Sequence, residues 1–390
     1  MAMEYRLHAK ENRRPEKIRT GESVDFPFLV LVLLLLTVGL AMLYSASYAQ
    51  SEYDTGYEIA TKYLQKQAVC GVIGLIAMYG FSRIPAGVWY AAAWPLYGIS
   101  ILLLLSVLVI GEEVNGARRW INLAGIQFQP SEIAKFTMIL LFARLTKLFG
   151  RDAKQFRYGV MGFGSALMGI LVPLALEKHL SAIMLMGMVA VVMMFVAGTS
   201  PKWLMAGACA AAAFVLIYIS FMGYAGDRVT AWLHPESDPG DTGYQILQSL
   251  YAIGSGGLFG LGYGKSRQKY LYLPFQYNDY IFAVICEELG LVGAVLIMAL
   301  FAMTILRGYW IALRASDRFS TVLAAGLITL IAVQTILNLG VVTNLLPSTG
   351  IALPFFSYGG TALAVNLGEM GILLSISRQR NRTKKQEVSL

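Results

Sequence analysis

About ten stretches of this chain are apolar over roughly the length needed to cross about 30 Å of hydrocarbon. They lie near 28–48, 68–81, 88–110, 133–149, 158–176, 180–198, 204–223, 280–306, 321–342 and 359–376. In lipid every backbone N–H and C=O must find a partner inside the protein, so such runs become helices. The chain is 57% hydrophobic and 14% charged, a balance far from that of a water-soluble domain. The expectation is an all-α polytopic membrane protein of about ten transmembrane helices. No cleavable signal peptide is expected, because a polar, basic tail precedes the first apolar run and no small-residue cleavage site follows it.

Lysine and arginine orient the bundle. With the N-terminus in the cytoplasm, ten crossings return the C-terminus to the same side. About two-thirds of the 31 basic residues then fall on cytoplasmic segments, as the positive-inside rule requires. The domain reading follows: a cytoplasmic basic tail over 1–27, a transmembrane domain over 28–377, and a second cytoplasmic basic tail over 378–390. Within the domain, 224–278 is a long extracytoplasmic loop between the seventh and eighth helices. The net charge of +8 is mostly this topology signal. Basic tails this short, beside membrane spans, meet anionic lipid rather than nucleic acid.

The remaining cations gather on the outer side, where topology does not favour them. Arg118 and Arg119 follow a glycine turn and precede Trp120. Arginines there could clamp phosphate oxygens by paired N–H bonds, or touch lipid headgroups. In FQPSEIAK, Ser131 and Glu132 suit a helix start, and Lys135 falls one turn inside. Glu132 and Lys135 are three apart and can meet on one face, as a structural ion pair or as part of a site. Glu177 stands in a short polar corner, EKH, that either ends two apolar runs or points into an outer cavity. Lys265 and Lys269 lie on the long outer loop, near a glycine cluster at 254–257 that could approach a phosphate or simply turn.

Asp279 opens an apolar helix at the outer edge. A helix start favours the ionised carboxylate, and partial desolvation raises its basicity. It is read either as a proton acceptor or as a helix cap. Glu287 and Glu288, about two turns deeper, read as buried polar packing. Cys70, Cys209 and Cys286 fall in apolar runs as packed thiols, and the three histidines have no ligand spacing. The chain has no Walker loop and no GxSxG elbow, so ATP-driven transport and serine hydrolysis lack support.

These residues stand in motifs with a family likeness. NGARRWI, FQPSEIAK, GYQILQSLYAIGSGG, QKYLYLP, NDYIFAVICEELG and TGIALPFFSYGGTAL occur in order across about 28–378. The chain resembles the SEDS family (shape, elongation, division and sporulation), and sits nearer its FtsW and SpoVE members than RodA. One stretch departs: PFQYND stands where PEAHTD or PEPQTD is usual, which keeps the acid at Asp279 and changes its neighbours.

The resemblance implies a peptidoglycan glycosyltransferase of the bacterial cytoplasmic membrane. It would polymerise lipid II at the outer face, with undecaprenyl pyrophosphate leaving. It implies Asp279 as the catalytic residue. Arg118, Arg119, Lys135, Glu132, Lys265 and Lys269 become candidates for holding lipid II or its pyrophosphate, and Glu177, Gln245, Gln248 and Ser357 supporting positions. No cofactor is required. A divalent cation could share the charge neutralisation, but no ligand cluster marks a place for it. The implied partners are a class B penicillin-binding protein, other division or sporulation proteins, and membrane lipids. A lipid-linked-sugar flippase and a non-enzymatic organiser of the division machinery remain the alternatives.

Overall fold

A computed structural model describes residues 23–114, 117–123, 126–207, 232–237 and 243–388. Seven described helices are long and apolar enough to cross a membrane. Helix α1 spans Phe26–Asp54, α2 Lys62–Phe81 and α3 Ala86–Ile110. Helix α4 is Pro130–Phe149, α5 Phe163–Leu176 and α6 Leu180–Val196, with a π-helical turn Arg157–Gly162 ahead of α5. Helix α7 is Tyr244–Gly256, α8 Ile281–Leu313, α9 Arg318–Val342 and α10 Gly360–Val388. The stretch 204–223, expected as a further span, lies almost wholly outside the described residues.

Burial sorts the helices. In α9, 83% of the apolar window is buried inside the protein, against 28% in α2, α3 and α8. A helix apolar all round belongs at the centre of a bundle, and α9 stands there. The others turn large apolar side chains such as Ile76, Leu102 and Leu296 outward. The most extensive helix pair is α2 with α10. Their backbones approach at glycines: a methyl on Gly371 would stand 2.4 Å from the Met78 carbonyl oxygen.

Both described ends of the chain meet at one end of the bundle. Asp25 caps α1, its Oδ1 accepting from the Phe28 N–H. It also takes a two-pronged ion pair from Arg307 of α8, and its own N–H donates to Ser377 of α10. Trp310 lies under the guanidinium groups of Arg307 and Arg314, an arrangement suited to a membrane–water boundary.

The opposite end departs from the all-α expectation. Three strands, β1 (Glu112–Val114), β2 (Ala117–Leu123) and β3 (Ile126–Phe128), form an antiparallel sheet. Its register pairs Glu113 with Arg118 and Ile121 with Phe128. Asn-Gly at 115–116 is the sequence signal for such a hairpin. The chain beyond the bundle edge can be irregular, and pairing strands satisfies its backbone locally. The long loop is not wholly loop either. Helix α7 packs against α8 and α9, where the Ser249 hydroxyl donates to the Val342 carbonyl oxygen.

After α7 the segment 257–280 straps itself onto α8, and α8 is broken to receive it. Gly290 takes φ 66° and ψ −169°, outside the helix. The break frees the carbonyls of Glu287 and Glu288, which accept from the N–H groups of Leu261 and Gly262. The N–H groups of Leu291 and Val292 donate in turn to Gly257 and Leu258. Non-helical backbone survives at this depth only because protein covers it. Glycine is required at the crossing: a methyl on Gly260 would stand 2.1 Å from the Glu288 carbonyl oxygen, and one on Gly290 2.3 Å from the Gly260 nitrogen.

The two glutamates then bind the strap. Glu288 accepts from the N–H groups of Gly264 and Ser266 and from the Ser45 hydroxyl of α1. Glu287 accepts from the N–H groups of Arg267 and Gln268 and from the Ser266 hydroxyl. Lys269, 2% exposed, pairs with Glu288 at 3.0 Å. Its ammonium also donates to the Gly264 carbonyl and to Ser45. All three of its protons are thereby used. The structure thus corrects the placing of Lys269 at the pyrophosphate: it is the internal counter-ion of Glu288.

Candidate active site

Asp279 lies near the end of the strap, two residues before the first residue of α8. The cap position of α8 is Tyr280, whose own side chain makes no capping bond. The main chain of Asp279 is tied to α9. The buried Asn338 of α9 donates from Nδ2 to the Asp279 carbonyl at 2.7 Å and to the Ile351 carbonyl at 2.8 Å. One residue back, the Asn278 carbonyl accepts from the Ser357 hydroxyl, which itself accepts from the Leu353 N–H. The side chain lies against Gly350, which has φ +67°, and a methyl there would stand 3.2 Å from Oδ2. The acid is therefore aimed by two polar residues and a glycine, all on elements distant in sequence.

Gly350 belongs to the wall of a cavity of about 100 Å³ between α4, α9 and the start of α10. Glu132, Lys135, His179, Gln334, Ser357 and Asn366 also line it. Lys135 and Glu132 form an ion pair at 2.7 Å, both nearly buried. Burying an ammonium here is possible because that partner stands one turn away on α4. A bound anion would find Lys135 on the same cavity wall system as the glycine beside Asp279.

The two adjacent arginines part company. Successive residues of a strand point to opposite faces, and Arg118 and Arg119 sit on β2. Arg118 is exposed, 3.6 Å from Glu113, and is not brought to the cavity. Arg119 turns the other way and donates to the Lys178 carbonyl at 2.6 Å, next to His179 of the cavity wall. Glu177 is buried in the same corner. Lys265 lies instead in an open groove with Arg267, Tyr270 and Tyr272 on the outside of the strap. On α7, Gln245 donates to the Pro274 carbonyl, holding the strap, and Gln248 is half-buried. Among the described residues no group of three His, Cys, Asp or Glu side chains could hold a metal ion.

Burial sets the charges of this corner. It pushes the Glu177 carboxyl up to about 8, against a smaller downward pull from Arg119. It also pushes His179 down to about 3, helped by Arg119 and Lys135, so the imidazole is neutral near pH 7. The Glu177 contribution to stability is complete below the unfolded value of 4.5 and is lost as pH rises through 8. The His179 contribution runs the other way, present above 6.5 and lost as pH falls towards 3. Thermal unfolding in detergent should show the wild type losing melting temperature between about pH 6 and pH 9, and Glu177→Gln losing less. Parallel curves for the two proteins would reject this origin for the alkaline limb.

The family model described as Cell cycle protein, for FtsW, RodA and SpoVE, matches residues 26–382. The chain belongs to the FtsW/RodA/SpoVE family. A Geobacter metallireducens protein named Probable peptidoglycan glycosyltransferase FtsW is 37% identical, over 98% of this chain and 100% of that protein. Stage V sporulation protein E of Bacillus subtilis is 38% identical, over 91% of this chain and 97% of that protein. Among solved structures, one described as "Structural coordination of polymerization and crosslinking by a peptidoglycan synthase complex" matches with a TM-score of 0.78. That match has 29% identity and covers 92% of this chain and 98% of the other. The rod shape determining protein RodA of Thermus thermophilus matches with a TM-score of 0.68 and 28% identity, over the same shares. The chain therefore has the polytopic helical fold of this family. Sequence reading passed over Asn338 and Gly350, which aim the family motif's acid. Their only local signal was a polar residue in an apolar span and a glycine in TGIALP.

Proposed function

We propose that this chain is a peptidoglycan glycosyltransferase that polymerises lipid II at the outer face of the bacterial cytoplasmic membrane, in division or sporulation. The carrying observation is the acid Asp279, held at the end of the bundle beside a cavity that contains a buried lysine. Joining two lipid-linked sugars needs a base for the attacking hydroxyl and positive charge where the diphosphate leaves. Asp279 takes the proton of the 4-hydroxyl as oxygen attacks the anomeric carbon of the second sugar. The C–O bond to undecaprenyl pyrophosphate breaks, and Lys135, with Arg119 at the rim, receives the departing charge. Polymerisation of lipid II by the purified protein, alone and with a class B penicillin-binding protein, tests this. A chain inactive in both settings, with its fold intact, would turn the reading toward an organiser of the division machinery.

Asn338 serves the base through its backbone. Asn338→Ala should lower kcat by about tenfold and leave KM near wild type, since it frees the Asp279 carbonyl without touching substrate. A change confined to KM would refute that positioning role.

In this reading the sheet, α7 and Asp279 lie outside and both tails lie in the cytoplasm, which the distribution of lysine and arginine supports. A cysteine at Ser237 should react with a membrane-impermeant reagent in spheroplasts, and one at Asp152 should not. The reverse pattern would move the site to the cytoplasmic face.

A further inference from the structure

We propose that Tyr63, Tyr277 and Tyr358 form a stacking platform for a pyranose ring bound beside Asp279. The inference rests on the glycosyl-transfer reading and adds the sugar subsite to it. The three rings come from separate elements: the first turn of α2, the strap, and the turn before α10. Tyr63 and Tyr277 have ring centroids 4.5 Å apart with planes tilted by 37°. Tyr358 meets Tyr63 edge-on at 4.9 Å. None of the three is buried, although tyrosine rings offer a large apolar surface.

Other bonds join these elements beside the rings. The Tyr358 N–H already donates to the Tyr277 carbonyl. Gln67 of α2 already bridges the Ser357 carbonyl and the Gly359 N–H. Three partly exposed aromatic rings therefore stand beside these ties, with the Tyr277 hydroxyl donating to the Tyr63 hydroxyl at 3.4 Å. Their position fits a sugar. Tyr277 is two residues from Asp279, and the charge of Asp279 acts on its hydroxyl. A pyranose lays its axial C–H groups on an aromatic face and turns its hydroxyls to polar neighbours. Such neighbours are present: the Tyr63 hydroxyl bonds Asp54, and Lys62 pairs with Asp54 at 3.7 Å.

The test uses the full-length protein and initial rates of lipid II polymerisation across substrate concentration. Tyr63→Leu and Tyr277→Leu should raise KM by about three- to tenfold, the scale of one aromatic contact, with a smaller change in kcat. Tyr63→Phe and Tyr277→Phe keep the ring and should recover most of that loss. Binding of undecaprenyl pyrophosphate, which carries no sugar, should be the same in the Leu variants and the wild type. Equal KM values for Leu and wild type would overturn the platform. So would equal loss of lipid II and undecaprenyl pyrophosphate binding, which marks a structural role. If the wild-type protein does not polymerise at all, the glycosyl-transfer reading fails first, and the loss is not charged to the tyrosines.

Discussion

Asp279→Asn should lower lipid II polymerisation by at least about 10²-fold, the lower end of what a positioned base contributes. The substitution keeps the shape and removes the anionic proton acceptor. The main-chain bond from Asn338 to the Asp279 carbonyl does not depend on the side chain that is changed, so the variant should still fold. Membrane insertion, detergent melting temperature and binding of undecaprenyl pyrophosphate should match the wild type. An Asn variant that polymerises at a near wild-type rate would leave Asp279 without a catalytic part.

Lys269→Met should act through the fold. It leaves Glu288 buried without its counter-ion, and breaking a buried pair from one side costs about 3–5 kcal/mol. Glu288 is fully buried, so water cannot take over from the ammonium. The variant should yield little folded protein and melt well below the wild type. Lys269→Met with Glu288→Gln removes both charges and should recover much of the loss, although the amide cannot accept all the bonds Glu288 now receives. A single variant as stable as the wild type would show that the pair is dispensable. A double variant no better than the single would show that the bonds from Gly264, Ser266 and Ser45 matter more than the charge.

The contrast between Asp279 and Lys269 shows what the sequence makes legible. Span positions followed from apolar length: the run at 88–110 became Ala86–Ile110, and that at 321–342 became Arg318–Val342. The acid was visible because a carboxylate at the start of an apolar helix is locally unusual. Lys269 was ambiguous because a cation on an outer loop has the same local sequence whether it faces a ligand or a glutamate nineteen positions later. The parting of Arg118 and Arg119 needed a strand, and β2, seven residues long between two three-residue partners, gives too short an alternation to be seen beside so many helices. Asn338 and Gly350 act on Asp279 across long sequence distances, so no local pattern could join them.

The break at Gly290 bears on how the protein is made. Inserted alone, α8 would offer two bare carbonyls and two bare N–H groups to lipid, each costing several kcal/mol. The chain that satisfies them, 257–262, is synthesised before α8. It can therefore be waiting when the helix enters the bilayer, and the two can settle as one cooperative unit. Asp279 is the link between strap and helix inside that unit. Any opening that peels the strap away also unseats the acid, so a half-assembled bundle does not hold Asp279 in its place against Gly350.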